Sequence, residues 1–254
     1  MSEKKSVQSK LGKVALERAF SKLGIASRSQ TREWILAGRI KVNQIVRRDP
    51  EFLVVPEQDR LELDGKRMQQ AGFKTILLYK LRGVVTTRSD EKGRSTVFSL
   101  LKGEDQYLHA VGRLDLATSG LLLLTNDTQL SNWLTDPDNG ILRTYIVTVE
   151  GRVTDEEKAR LENGMEDKGE ILQAKQMALR KVSNRESHVT VVLTEGKNRE
   201  IRRMFKAIGH EVMRLKRVSL GGLTLGSLKP GEYRELPLNE IKKAFPGAPV
   251  RFDR

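Results

Sequence analysis

The hydrophobic pattern of residues 14–68 predicts a small unit of helices and short strands. Residues 16–23 carry apolar side chains at positions i, i+3, i+4 and i+7, which is the spacing of one buried helix face. Ser27 and Gln30 have the pattern of a capping box. A second helix is therefore predicted from this point to the glycine at position 38, which ends it.

Alternating polar and apolar residues follow these two helices. Residues 39–43 alternate strictly, residues 44–48 return from a turn, and residues 61–63 lead into another turn, so short strands are predicted. Two helices and these strands make a domain of about 55 residues, which is small but feasible. Residues 1–13 are polar, basic and without periodicity, and they predict a disordered basic arm.

Beyond a linker at 68–73, strands and helices are mixed. The predicted strands cover residues 75–79, 121–125, 145–149, 189–194 and 214–220, and the predicted helices cover 128–134, 154–162 and 200–208. Because this order lacks a regular βαβ alternation, it favours an α+β fold. We therefore expect residues 74–254 to form a second domain around a mixed or antiparallel sheet.

The composition excludes several kinds of chemistry. The chain of 254 residues has no Cys and three His, so disulfides, zinc ribbons, iron–sulfur clusters and thiol nucleophiles are ruled out. The three His are scattered, and no metal site is expected. The longest apolar run is 121–124 and residues 1–10 lack the apolar core of a signal peptide, so a soluble, cytoplasmic protein without membrane association is expected.

The positive charge is concentrated in two stretches of a chain whose formal net charge is +13. Residues 1–48 hold 12 Lys and Arg against three Glu, and residues 196–217 hold eight against two. Two separated basic stretches favour an extended polyanion such as nucleic acid over a small anion. A generally basic surface without a specific partner is the alternative.

One polar segment is a candidate for chemistry. Residues 111–120, VGRLDLATSG, place Asp115 beside Arg113 in a turn that leads into an apolar strand. A carboxylate held ionised there can act as a nucleophile or a base. The alternative is that Asp115 caps the following helix or turn, and the pattern alone favours that alternative.

Both basic stretches have a functional and an ordinary interpretation. In residues 195–205, EGKNREIRRMF, a turn leads into a helix start where backbone N–H groups, Lys197 and the arginines can meet phosphate; an exposed basic helix without a ligand is the alternative. In the first stretch, an edge of helix and strand is suited to follow a phosphate backbone, or it is simply a solvated face. Its residues are Arg28, Arg32, Arg39 and Lys41.

Four ordered motifs between positions 16 and 238 resemble those of one enzyme family. The segment 112–127, GRLDLATSGLLLLTND, is similar to the signature of pseudouridine synthases, and in particular of the RsuA/RluB-type ribosomal RNA enzymes. Residues 16–66, with GIASR, IxxGRIKVN and LxLDGK, resemble the small RNA-binding domain that these enzymes share with a small-subunit ribosomal protein. The segments EGKNREIRRMF and GxLKPGEYREL also fit the family.

The resemblance implies roles for individual residues. Asp115 aligns with the catalytic aspartate, Tyr145 with the tyrosine that lies against the target base, and Arg202 with the basic residue that pairs with the carboxylate. Arg113 would lie where the flipped nucleotide leaves the stack. Without the resemblance, Tyr145 is more simply a core residue of a strand. The expected RNA-binding residues are Arg113, Arg28, Arg32, Arg39, Lys41, Lys197, Arg199 and Arg203.

The implied reaction is the isomerisation of one or a few uridines in ribosomal RNA to pseudouridine. It needs no cofactor, and whether Asp115 acts by addition or by deprotonation stays open. Large-subunit RNA, naked or in an assembling subunit, is favoured over small-subunit RNA, and a monomer is expected. The chain departs from the family pattern at Leu81, where Pro is usual, and at Arg143, where Lys is more common. A non-catalytic RNA-binding or ribosome-assembly protein on the same scaffold is the alternative.

Overall fold

The computed structural model describes residues 12–69, 72–88, 90–101 and 108–250. The chain divides into two compact units, an N-terminal unit, Met1–Gly72, and a C-terminal unit, Phe73–Arg254. Of the predicted basic arm, residues 1–11 lie outside the described part. Among the helices of the described residues, none is both long and apolar enough to cross a membrane.

The described residues of the N-terminal unit form two helices and six short strands. The elements are β1 Val14–Ala15, α1 Leu16–Lys22, α2 Arg28–Leu36, β2 Ile40–Val42, β3 Ile45–Val46, β4 Leu53–Val54, β5 Leu61–Leu63 and β6 Lys66–Arg67. A four-stranded antiparallel sheet has the order β3-β2-β5-β6, and β1 pairs with β4. The two predicted helices and the predicted strands are confirmed, whereas β1 and β4, of two residues each, had no clear pattern in the sequence.

Local chemistry explains where α2 begins and what it packs against. The side chain of Ser27 accepts a hydrogen bond of 3.2 Å from the backbone N–H of Gln30, which satisfies one of the free donors at the helix start. Trp34 of α2 meets Phe20 of α1 edge to face, with ring centroids 6.1 Å apart. Phe20 and Ile35 are fully buried, so the two helices and the sheet share one apolar core.

The C-terminal unit is built on one large sheet with helices on both faces. Among the described residues of its connections are the short 3₁₀ helices Val97–Leu100 and Pro137–Asn139. The elements are β7 Thr75–Lys80, β8 His109–Ala110, β9 Thr118–Thr125, α3 Thr128–Thr135, β10 Arg143–Glu150, α4 Asp155–Asn163, β11 Met165–Asp167, β12 Glu170–Leu172, β13 Gln176–Val182, β14 Glu186–Leu193, α5 Glu200–Ala207, β15 Val212–Leu220, β16 Leu223–Thr224, β17 Tyr233–Glu235 and α6 Leu238–Ala244.

The main path of this sheet has the order β13-β14-β10-β15-β9-β7-β17. In addition, β16 pairs with β15 and β8 pairs with β9. The pair β9 and β15 is parallel and the other pairs are antiparallel, so the sheet is mixed. The α+β class expected from the order of elements is confirmed.

Strand β9 explains the apolar run at 121–124. Leu121 and Leu123 point to a core shared with α3 and α6, while Leu122 and Leu124 point to a core shared with α4 and α5. A strand that is covered on both faces carries a continuous apolar run rather than an alternating one. The start of this strand, directly after the polar segment 111–117, is therefore fixed firmly between two cores.

At Gly120, β9 and β15 come unusually close. A Cβ atom built on this residue would lie 2.8 Å from the main-chain nitrogen of Arg217 and closer still to its carbonyl oxygen. The φ angle of Gly120 is +110°, a region that side chains with a Cβ rarely adopt. The parallel contact of the two strands therefore requires glycine here.

Candidate active site

Asp115 lies in the turn that precedes β9. Its main-chain carbonyl accepts a hydrogen bond of 3.0 Å from Thr118 N–H, and its side chain is about one-third exposed. The carboxylate Oδ2 lies 3.8 Å from Nη1 of Arg199. Because a strand and not a helix follows, Asp115 is not a helix cap, and its side chain is directed to a cationic partner instead.

Lys80, at the end of β7, stabilises this turn through hydrogen bonds from its ammonium group. The residue is fully buried, and its Nζ donates to the carbonyl oxygens of Leu81, Asp115 and Thr118 at 3.0, 3.1 and 2.7 Å. Burial lowers the pKa of Lys80 to about 8, and the nearby Asp115 carboxylate opposes that decrease. The ammonium group thus fixes both ends of the 115–118 turn.

A cavity of about 290 Å³ opens in front of Asp115. Its walls come from the 111–115 turn, the connection between α3 and β10, the strands β10 and β15, and the segment 195–201. Tyr145 of β10 lines this space and is 7% exposed. The cavity therefore brings the carboxylate, one aromatic side chain and several cations to one place.

Arg143, two residues before Tyr145, is buried in the cavity wall. Its Nη1 donates to the carbonyls of Ile141 and Thr194, each at 2.7 Å, and its Nη2 donates to the carbonyl of Leu134 at 3.1 Å. Burial lowers the pKa of Arg143. Arg143 therefore joins the end of α3, the connection before β10 and the segment after β14.

Arg217 of β15 has a similar environment on the next strand. It is 4% exposed, and its Nε donates to the carbonyl of Leu121 at 2.7 Å. Its Nη2 is buried without a hydrogen-bond partner in the described part of the chain. Since Arg217 also lines the cavity, this wall carries an unused donor.

Arg202 lies near Asp115 but does not form the predicted pair. Its Nη1 donates to the carbonyl of Val212 at 2.9 Å and its Nη2 to that of Ala117 at 3.1 Å. Burial lowers the pKa of Arg202, and Asp115 is among the charges that oppose this. In the structure the ion pair belongs to Arg199, while two nitrogens of Arg202 donate to main-chain carbonyls and its Nε is buried without a hydrogen-bond partner among the described residues.

Arg199 reaches Asp115 from an uncommon backbone conformation. It is the N-cap residue of α5, with φ of 49° and ψ of 32°, which is the left-handed region that non-glycine residues usually avoid. Its side chain is about half exposed at the cavity mouth. A cation that was expected to bind RNA therefore also faces the predicted catalytic carboxylate.

The other basic residues of this segment have acidic partners. Arg203 donates to Asp167 and Glu170, and these contacts raise its pKa. Lys197 pairs with Glu195 and donates to the carbonyl of Ile171 at 2.7 Å. Both were expected to bind RNA, and the structure places both in ion pairs, with Lys197 in the cavity wall.

Arg113 and the cations of the N-terminal unit are more accessible. Arg113 is exposed and lines the cavity. Arg39 pairs with Asp64 through two hydrogen bonds and lies over the ring of Trp34. Arg32 pairs with Glu17, Arg28 is exposed and Lys41 is half-buried. That these residues bind RNA stays a prediction.

Four residues of the site were missed by sequence reasoning as functional candidates, and all four are buried cations or acids. Lys80 ends an apolar strand, and a lysine within such a run is an available signal because a buried lysine needs acceptors. The remaining three, Arg143, Glu200 and Arg217, follow ordinary strand or helix patterns. Only the assembled sheet brings them to the cavity.

Two family models match the chain. Residues 74–207 match the model described as RNA pseudouridylate synthase, and residues 20–61 match the S4 domain. The first match includes Asp115, Tyr145 and the 195–207 segment, and the second covers most of the N-terminal unit.

Curated relatives and one solved structure agree with these models. The ribosomal large subunit pseudouridine synthase B of Bacillus subtilis is 38% identical, covering 90% of this chain and 94% of the relative. The ribosomal small subunit pseudouridine synthase A of Escherichia coli K12 is 34% identical, covering 86% and 94%. A pseudouridylate synthase crystal structure superposes with a TM-score of 0.64 at 28% identity, covering 91% of this chain and 99% of that one.

The model match, these relatives and the carboxylate in its cavity agree with one another. The chain belongs to the RNA pseudouridylate synthase family and combines its synthase domain with an S4 domain.

Proposed function

We propose that this enzyme isomerises specific uridines in ribosomal RNA and that large-subunit RNA is its preferred substrate. The observation that carries the proposal is the partly exposed carboxylate of Asp115, which faces a cavity beside Arg199 and Tyr145. Two relatives named as ribosomal RNA enzymes support the class of RNA, and the higher identity to the large-subunit enzyme supports the subunit.

The reaction rearranges one nucleoside without a net loss of atoms. The bond between N1 of uracil and C1′ of ribose breaks, the uracil turns, and a bond forms between C5 and C1′. The proton of C5 leaves and N1 takes up a proton, so the product is an isomer and the chemistry consumes no donor. Asp115 supports this step either by adding to the nucleoside or by removing a proton from the sugar.

We assign separate roles in this reaction to residues in and around the cavity. The Arg199 guanidinium places a positive charge 3.8 Å from the Asp115 carboxylate. Tyr145 offers a flat face to a uracil that has left the RNA stack, and the exposed Arg113 is placed to occupy the gap in that stack. Arg202 lies close enough to stabilise negative charge near Asp115, with its position set by two carbonyls.

The N-terminal unit is proposed to hold the RNA. Arg28, Arg32, Arg39 and Lys41 lie on or beside α2 and β2, and Arg32 and Arg39 pair with acids only at the surface. Exposed pairs of this kind contribute little to stability, so phosphates can replace the acids. We propose that the enzyme acts as a monomer in the cytoplasm, on naked RNA or on an assembling subunit.

Tritium release tests the proposed function. Unmodified large- and small-subunit ribosomal RNA, labelled with tritium at uracil C5, is incubated with the wild-type protein and with Asp115→Asn. We expect release by the wild type from large-subunit RNA, and none by Asp115→Asn, while RNA affinity changes less than about twofold because the carboxylate does not attract phosphate.

Other outcomes correct the proposal in defined ways. Release from small-subunit RNA alone would reverse the subunit, and release only from assembly intermediates would identify those as the substrate. Full activity of Asp115→Asn would remove Asp115 from the chemistry. Tight binding without release from any ribosomal RNA would favour the non-catalytic RNA-binding protein on this scaffold.

A further inference from the structure

The segment 195–200 has to hold a strained residue in place. Arg199 has φ of 49°, in the left-handed region that is unfavourable for a residue with a Cβ atom. The same conformation directs the Arg199 side chain to Asp115 at 3.8 Å. Contacts on either side of Arg199 must therefore stabilise a geometry that the residue does not favour by itself.

Glu200 supplies those contacts. Its backbone N–H donates to the carbonyl of Lys197 at 3.2 Å, and its Oε2 accepts from the backbone N–H of Lys197 at 3.1 Å. The residue is 3% exposed, so these bonds are shielded from water. Together they close a small loop around positions 198 and 199.

The other carboxyl oxygen of Glu200 lacks a donor. Oε1 is buried without a hydrogen-bond partner in the described part of the chain, and the nearby carboxyl of Glu195 interacts with the Glu200 side chain. Two carboxylates cannot hydrogen-bond to each other unless one of them carries a proton. A proton on Glu200 turns the unsatisfied oxygen into a donor to Glu195.

The surroundings favour that proton. Burial and then the charge of Glu195 raise the pKa of Glu200 to about 7, while the backbone N–H and the ammonium of Lys197 oppose the increase. From β10, Arg143 also faces Glu200 and interacts in turn with Tyr145 and Arg217, but its hydrogen bonds go to carbonyls. Glu195 itself is fixed by its pair with Lys197.

We propose that Glu200 is a positioning residue for the synthase reaction, acting through Arg199. Its protonated carboxyl donates to Glu195 and accepts from the Lys197 N–H, and this bridge keeps Arg199 in the left-handed conformation beside Asp115. When Glu200 loses its proton, the two carboxylates repel each other and the bridge opens. The inference rests on the proposed function, because it gives Arg199 and Asp115 their catalytic importance.

Carbon-13 NMR tests the bridge without any substrate. The Glu200 carboxyl signal is identified by its loss in Glu200→Gln and followed from pH 4 to pH 9, together with the backbone amide of Arg199. We expect both signals of the wild type to titrate together near neutral pH, and the Arg199 amide to stay constant in Glu200→Gln. A carboxyl that titrates below about pH 5, the usual range for glutamate, or an Arg199 amide that does not respond, would overturn the proposal.

Tritium release at pH 6 and pH 8 tests the effect on activity. If only the protonated form holds Arg199, wild-type activity declines about tenfold between these pH values. In Glu200→Gln the amide donates at both pH values, and in Glu195→Gln the amide donates to ionised Glu200, so both variants are expected to show a much smaller decline. Glu240→Gln, which loses only a surface partner of Arg234, is the control and keeps the wild-type ratio. Glu200→Ala loses the bridge and is expected to lose activity at both pH values.

The two experiments separate the two proposals. The ratio of activity at pH 6 to activity at pH 8 decides the positioning role. If this ratio in Glu200→Gln and in Glu195→Gln equals that of the wild type, the positioning role is overturned even where Glu200 titrates near neutral pH. If one variant does not fold, the other still decides the ratio. If no ribosomal RNA releases tritium with the wild type, the proposed function fails, and the response of the Arg199 amide still decides whether Glu200 holds that residue.

Discussion

The basic residues of the two units differ in what they contact. In the N-terminal unit, Arg32 and Arg39 pair with acids at the surface. Around the cavity of the C-terminal unit, Lys80, Arg143 and Arg217 are buried and donate to main-chain carbonyls. The net charge of a stretch therefore does not show whether its cations meet a ligand or hold the fold together.

The difference follows from how each unit is built. A small unit with one core has little interior for a charged side chain, so its cations stay at the surface. In the C-terminal unit, most of the carbonyls that accept from the buried cations lie in turns or at the ends of elements. Long side chains with several donors satisfy those carbonyls, which leaves fewer cations for RNA than the sequence suggests.

The largest expected effect is that of Lys80→Met. The substitution keeps the apolar stem but removes the donor for three carbonyls, two of which belong to the Asp115 turn. We expect the free energy of unfolding to fall by about 3 kcal/mol and tritium release to fall more than a hundredfold. Chemical denaturation and single-turnover assays measure the two effects, and an unchanged turnover would show that the turn holds its shape without Lys80.

A matched pair of substitutions compares the two regions directly. Arg143→Met removes a buried donor to three carbonyls and is expected to cost about 2 kcal/mol or more. Arg39→Met removes an exposed pair with Asp64 and the contact of the guanidinium with the Trp34 ring, and it is expected to cost clearly less than Arg143→Met, because exposed pairs contribute little to stability. Denaturation curves of both variants measure the difference, and equal costs would contradict the distinction between the regions.

The dependence of stability on pH tests the buried acid of the cavity wall. The pKa of Glu200 is raised from 4.5 to about 7 in the folded protein, so the folded state holds its proton more tightly than the unfolded state. The stability that Glu200 contributes is fully present below pH 4.5 and is lost as the pH rises from 4.5 through 7, by on the order of 3 kcal/mol. Denaturation midpoints should show this loss in the wild type and not in Glu200→Gln; an identical profile in both proteins would disprove it.

The smallest effect on stability is expected for Arg28→Gln and Lys41→Gln. Neither residue has an ion pair in the described part of the chain, so unfolding should change by less than about 0.5 kcal/mol. RNA affinity should fall, and each lost phosphate contact should reduce the slope of log K against log salt by about 0.7 to 0.9. Filter binding over a salt series measures the slope, which stays unchanged if these residues do not touch RNA.

The sequence predicts the elements of this fold better than it predicts the site. The helices at 16–22 and 200–207 and the strand at 118–125 follow from apolar spacing, since each has a long buried face. The strands of two residues, such as β1 and β4, are too short to show a period. They form because distant segments pair, which depends on the whole fold.

Within the site, the sequence identified Asp115 and Tyr145 but not the groups that hold them. The neighbours of Asp115 in the chain favour a capping role, and the resemblance of its motif to the family indicates the catalytic one. Lys80 donates to the carbonyls of Asp115 and Thr118, which lie far from it in the sequence. The contacts of Glu200 lie within five positions of it, and only its burial and its unpaired Oε1 depend on the whole fold. Arg202 illustrates the same limit, because its partners Val212 and Ala117 lie on different elements.

Gly120 has a structural role within the signature segment, separate from the role of Asp115. Among residues 112–127, Asp115 is the predicted catalytic carboxylate, whereas Gly120 is required because β15 lies too close to leave room for a Cβ atom. Residues of the cavity walls can be substituted to alter substrate choice, whereas position 120 has to remain glycine. Its glycine acts as a spacer that sets the distance between two strands, and through them between Asp115 and the opposite wall.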